Sequence, residues 1–153
     1  MPDRKTVERA QQDKREGKSP STQAGEFIRE EIHHVREGKH GARSPQQAIA
    51  IGLSKARRAG IEVKPPPEGK TSESTRRKAE RDYERGHGEG SSRRTSARRS
   101  AATSAALKRE PRGSASKRSL SGQAHRAAGI RISAERSAAA RKAARTRARR
   151  RRG

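Results

Sequence analysis

A chain of 153 residues with 37% charged, 26% hydrophobic and 1% aromatic side chains, and a formal net charge of +23, cannot bury a large core along its whole length. The absence of Cys excludes a disulfide framework and a thiolate metal site, and no apolar run reaches the length of a membrane span or of a secretory leader. A pI near 11.7 points instead to a cytoplasmic protein whose partner is a polyanion, with nucleic acid ahead of an anionic membrane surface.

In chain order, residues 1–20 form a polar N-terminal segment. Within it, residues 3–16 alternate charges at helix-compatible spacing around Val7, which predicts a frayed helix ending at Gly17. Residues 21–63 hold nine of the sixteen large apolar residues, and are the only stretch expected to build a core. Ile28, Ile32 and Val35, with Phe27 beside them, recur on one face of a helix over about 22–37. Ile49, Gly52, Leu53 and Ala56 stripe a second helix over about 45–59, and Gly52 permits close approach of another helix. Arg-Glu-Gly-Lys occurs at 15–18 and again at 36–39, each time followed by Ser-Pro and then Gln-Ala. The glycine closes one helix and the serine caps the next, with Pro at its first position. Ser44 and Gln47 fit a capping box. The expected structure is an antiparallel helical hairpin, with Ile61 and Val63 folded over its open end. Its connection, 38–44, is longer than the turn of a base-reading helix-turn-helix.

Residues 64–71 are a Pro-rich spacer, 72–85 a mixed-charge helix, and 86–96 a flexible linker. Residues 97–153 form a basic Ala/Arg/Ser tail with helical stretches over about 97–109, 115–128 and 134–150. Like charges at helical spacing, Arg141, Arg145 and Arg149, oppose helix in the free chain, so the tail is expected to be coil alone and helical when bound. The fold class is therefore mostly α: a small hairpin with helical or disordered basic extensions and a largely disordered C-terminal half.

Charge is segregated. Residues 1–90 carry 20 Lys and Arg against 15 acids, whereas residues 91–153 carry 20 against two, Glu110 and Glu135. The nucleic-acid-binding candidates are Arg93, Arg94, Arg98, Arg99, Lys117, Arg118, Arg141, Lys142, Arg145, Arg147, Arg149, Arg150, Arg151 and Arg152 in the tail, with Lys39, Arg43, Arg57 and Arg58 around the second helix. Such cations bind phosphates through counterion release, without sequence choice. The scarcity of aromatics argues against a dedicated single-strand binder. Gly38 to Ser44, with Lys39 and Arg43, also has the makings of an anion loop at a helix start, though an ordinary solvated loop is the simpler reading. Among the histidines, Glu30 and His34 are four apart, as are His33 and Glu37, but no four-ligand set has suitable spacing, so no metal is expected. No catalytic constellation and no cofactor motif is present, and an enzyme is not expected.

The segment REGKHGARSPQQAIAIGLSKARRAG, together with STQAGEFIREEIHHV before it, the Pro-rich segment with TSESTRRKAERD after it and SAALKREPRGSASKRSLSGQAHRAA in the tail, resembles over most of the chain a family of small, basic bacterial proteins known chiefly as a domain of unknown function. The resemblance implies a bacterial source and supplies no functional residues. In composition alone, the tail resembles histone H1-like nucleoid proteins. The expected function is sequence-independent DNA binding of the nucleoid-associated kind, with a homodimer through 21–63 left open. The alternatives are an RNA- or ribosome-associated basic protein and a hydrophilic stress protein.

Overall fold

A computed structural model describes residues 2–88, 96–130 and 133–152. Seven α-helices occur among them: α1 Arg4–Arg15, α2 Pro20–Arg36, α3 Pro45–Arg58, α4 Glu73–Gly86, α5 Ala97–Arg109, α6 Lys117–Ile130 and α7 Ser133–Arg152. A 3-10 turn, Gly113–Ala115, precedes α6. No described helix is long and apolar enough to cross a membrane. The chain divides into two compact units, Met1–Ser116 and Lys117–Gly153.

In the first unit the punctuation works as its chemistry requires. Gly17 and Gly38 take positive φ of 69° and 77°, which closes α1 and α2 in the conformation glycine tolerates. Ser44 Oγ accepts the Gln47 N–H at 3.2 Å while Gln47 Oε1 accepts the Arg43 N–H at 2.8 Å, so the start of α3 is capped from both sides.

α2 and α3 pack antiparallel: Val35 lies with Ala48, Ile28 with Gly52, and Phe27 with Ala56. A Cβ on Gly52 would stand 2.7 Å from Ile28 Cα, so the glycine sets the interhelical spacing. α1 lies antiparallel on α2, placing Val7 and Ala10 against Ala24 and Phe27. Ile61 and Val63 close the same cluster. α4 joins α3 at their C-terminal ends, where a Cβ on Gly86 would fall 1.8 Å from the Arg57 carbonyl oxygen. Ser54 donates to Asp82 across this seam.

One expectation is overturned, in the C-terminal half, and the homodimer through 21–63 gains no support: α1 covers one end of the hairpin's apolar face and the chain around 107–115 covers the other. Ala115 is fully buried with Val35, Ala42 and Ala48. Arg36 Nε donates to the Ala115 carbonyl at 2.8 Å. The loop amides of Gly41 and Ala42 donate to the carbonyls of Leu107 (2.8 Å) and Pro111 (3.0 Å). The start of the basic tail is thus part of the core.

The C-terminal half is not disordered. Residues 97–109, 117–130 and 133–152 are helical. Ala and Arg are among the best helix formers, and Ser96 caps α5 by accepting the Arg99 N–H. Summed propensity outweighs like-charge repulsion worth only a few tenths of a kcal/mol per pair, about 0.2–0.5. Most of the linker expected at 86–96 lies outside the described residues; Gly86 itself ends α4.

Candidate functional site

The basic residues expected to contact a polyanion fall into two groups. Around α3 most of them are engaged. Arg57 is buried, its Nε donating to the Val63 carbonyl at 2.9 Å, and burial pushes its guanidinium below the usual range, with Asp82 opposing the shift. It tethers the chain after α3 and is not a surface cation. Arg58 reaches Asp82 at 3.6 Å, and Lys39 reaches Glu37 at 3.1 Å. Arg43 is exposed. The anion loop read at 38–44 has lost its amides to Leu107, Pro111 and Gln47, so that backbone makes no phosphate cradle.

The second group lies on helix surfaces. Arg98 and Arg99 are exposed in the first turn of α5, and Lys117 and Arg118 in the first turn of α6. Arg141, Lys142, Arg145, Arg147, Arg149 and Arg150 are exposed along α7, with Arg151 and Arg152 in its last turn. Arg93 and Arg94 lie outside the described residues. At 100° per residue the basic positions of α7 surround the helix, so it has no apolar seam to lay on a partner. A 20-residue helix is roughly 30 Å long, comparable to a turn of duplex nucleic acid. From residue 117 onward, thirteen Lys and Arg face one acid, Glu135. Eleven of the thirteen are Arg, whose fork suits phosphate oxygens.

Both aromatic side chains of the chain are committed. Phe27 is fully buried, while Tyr83 donates to Glu62 at 2.7 Å and stacks on His87 at 4.0 Å between ring centroids. Neither is a platform for a splayed base.

A further cluster escaped the sequence reading. Glu30 and Glu31, adjacent on α2, are both buried and share Lys55 of α3, whose Nζ is 3.1 Å from Glu30 Oε1 and 2.7 Å from Glu31 Oε2. Burial alone would raise the Glu30 carboxyl, but hydrogen bonds from Thr6, the Asp3 N–H and Lys55 outweigh it and hold the group below the carboxylate range. Burial likewise favours neutral Lys55, yet Glu31 and Glu30 raise its ammonium above the usual value. His40 from the loop reaches Glu31 Oε1 at 3.0 Å, and His34 lies 3.6 Å from Asp3. Spacing along α2 could pair Glu31 with His34; the arrival of His40 depends on the path of the loop.

Compared with protein-family models, with curated proteins and with solved structures, the chain shows no match.

Proposed function

We propose that this protein binds nucleic acid without sequence choice, through the basic helices of its C-terminal half, and that it serves as a nucleoid-associated, DNA-condensing protein. The observation that carries this reading is the segregation of charge: the sequence has thirteen basic residues against one acid beyond residue 116, and Lys117, Arg118, Arg126 and the α7 cations up to Arg150 are exposed on helix surfaces. Such a rod gains most where phosphates surround it, as between the two backbones flanking a groove or between two duplexes. Phosphate contacts release condensed counterions and fix no base identity. The commitment of Phe27 and Tyr83 inside the first unit favours duplex over single strands. The first unit, in which 27 Lys and Arg stand against 16 acids, acts as the folded head that carries this surface.

The test is duplex affinity as a function of salt, with the full chain and with a chain ending at Ser116. If about eight phosphates are engaged, log affinity falls against log salt with a slope near −7. The shortened chain should lose most of its affinity. A slope near zero, or undiminished binding by the shortened chain, overturns the reading. Competition at equal phosphate concentration separates duplex DNA from structured RNA; preference for RNA would move the protein to the ribosome-associated class.

A further inference from the structure

Among the described residues, carboxylates and imidazoles meet in a partly buried cluster at the start of α1, the C-terminal half of α2 and the loop before α3. Glu31 is 1% exposed and sits three residues before His34 on α2. His40 arrives from the loop before α3, its ring edge-on to His34 at 6.0 Å between centroids. Ligand-capable atoms of Glu31, His34 and His40 all lie within 4.8 Å of one another, and Asp3, Glu30 and His34 form an adjoining set of the same size.

Two features of this cluster call for a cation. The first is the orientation of His40. Its Nδ1 is 3.0 Å from the Gly41 carbonyl oxygen, which only accepts, so the hydrogen bond places a proton on Nδ1. Nε2 then turns its lone pair toward Glu31 Oε1 at 3.0 Å. Two acceptors do not rest at that distance unless a proton or a metal ion stands between them. A backbone carbonyl that fixes the tautomer in this way is the usual outer support of a metal-bound histidine. The second is the charge balance. Asp3, Glu30 and Glu31 bring three negative charges, and Lys55 supplies one positive charge at Glu30 and Glu31. Asp3 is exposed, so the buried carboxylates Glu30 and Glu31 keep one negative charge beyond Lys55, which a cation between Glu31 and His40 offsets.

We propose that Glu31, His34 and His40 form a Zn2+ site, with Asp3 and Glu30 as its outer carboxylates. Two imidazoles and one carboxylate are a donor set that zinc accepts, with one position left for water. Metal–ligand bonds near 2.0–2.1 Å in a tetrahedron set ligand atoms roughly 3.3 Å apart. The His40–Glu31 pair therefore opens by a few tenths of an ångström, and His34 closes in. A cleft of about 240 Å3 borders the site on the side of Asp3, Glu30 and His34, and neither Glu31 nor His40 lines it. Lys55 stays on Glu31 Oε2. The site ties α1, α2 and the loop before α3 together, and it does not depend on nucleic-acid binding.

The experiment is calorimetric titration of the full chain, first stripped with chelator, with Zn2+, and in parallel with Co2+ followed by its visible absorption. One equivalent should bind, with protons released and Co2+ bands of a tetrahedral site. His40→Gln and His34→Gln should each weaken binding more than about tenfold, the least that loss of even an outer-shell partner brings. His33→Gln, which changes an exposed neighbour, should leave the affinity unchanged, with circular dichroism checking the helices of each variant. Absence of saturable binding at one equivalent, or equal affinity in the His34→Gln/His40→Gln double variant, overturns the proposal. If the variants lose their helices, nitrogen resonances of the wild-type imidazoles decide: a Zn2+-induced shift at His40 Nε2 supports the site, and a proton that stays on Nε2 in excess Zn2+ refutes it.

Discussion

Lys55 is the residue on which the first unit depends most for its electrostatics. It serves two buried carboxylates at once, so its removal leaves Glu30 and Glu31 without their shared cation. Breaking a buried pair by deleting one partner costs about 3–5 kcal/mol, whereas an exposed pair such as Arg4–Glu8 is worth about 1 kcal/mol or less. Lys55→Ala should therefore lower the urea unfolding free energy by about 3 kcal/mol, and Arg4→Ala should barely change it. The same cluster shapes the pH dependence. Glu30 is held below its ordinary value, so its contribution is present above about pH 4 and is lost as pH falls through its lowered folded-state pKa. Lys55 is held above its ordinary value, so its contribution is complete below about pH 10 and is lost as pH rises through its raised folded-state pKa. Unfolding curves across pH should show a plateau between these limits, and the Lys55→Ala chain should lack the alkaline decline.

At the scale of elements, the contact that most repays attention is the one between the loop before α3 and the segment after α5. A Cβ on Gly41 would fall 1.7 Å from the Glu110 carbonyl oxygen, so no side chain fits there without moving backbone. Gly41→Ala should detach residues 107–115 while leaving the α2–α3 contact in place. Hydrogen exchange would show faster exchange at Gly41 and Ala42, whose amides donate to Leu107 and Pro111, with the amides in the middle of α2 unchanged. This contact also marks the limit of what the sequence reveals. The helices themselves are legible, because their caps and stops are local: Gly17, Gly38, Ser44 and Ser72 act within one turn of their own position. Gly52 reads correctly as a close approach because it interrupts an apolar stripe. Ala10 and Ala115 do not read as core, since each is one small residue in a polar context and is buried only by distant chain. The cluster at His40 is hidden for the same reason: its partner Glu31 is nine positions away, across a loop whose course depends on Pro111. Arg57 is misplaced on the surface by any reading of composition, because only the return of Val63 buries it.

For the molecule as a whole, the distribution of charge separates stability from binding. The first ninety residues pair their acids and bases within the fold, as at Arg9–Glu26 and Lys18–Asp13, and leave little net charge for a partner. Beyond Ser116 the sequence has a single acid, Glu135, so the cations of that unit meet little competition for phosphate from within it. Changes in the two regions should therefore register in different measurements. Replacing Arg149, Arg150, Arg151 and Arg152 by Ala removes four charges and keeps good helix formers in place. If each contacts one phosphate, the slope of log affinity against log salt becomes shallower by roughly 3–4, with the unfolding of the first unit unaltered. Arg57→Ala should do the reverse: its buried guanidinium carries the Val63 carbonyl, so the unfolding free energy falls by about 1–3 kcal/mol while the salt slope stays where it was. A salt slope that followed Arg57 and ignored the α7 arginines would place the polyanion surface on the first unit and remove the basis for assigning it to the helices beyond.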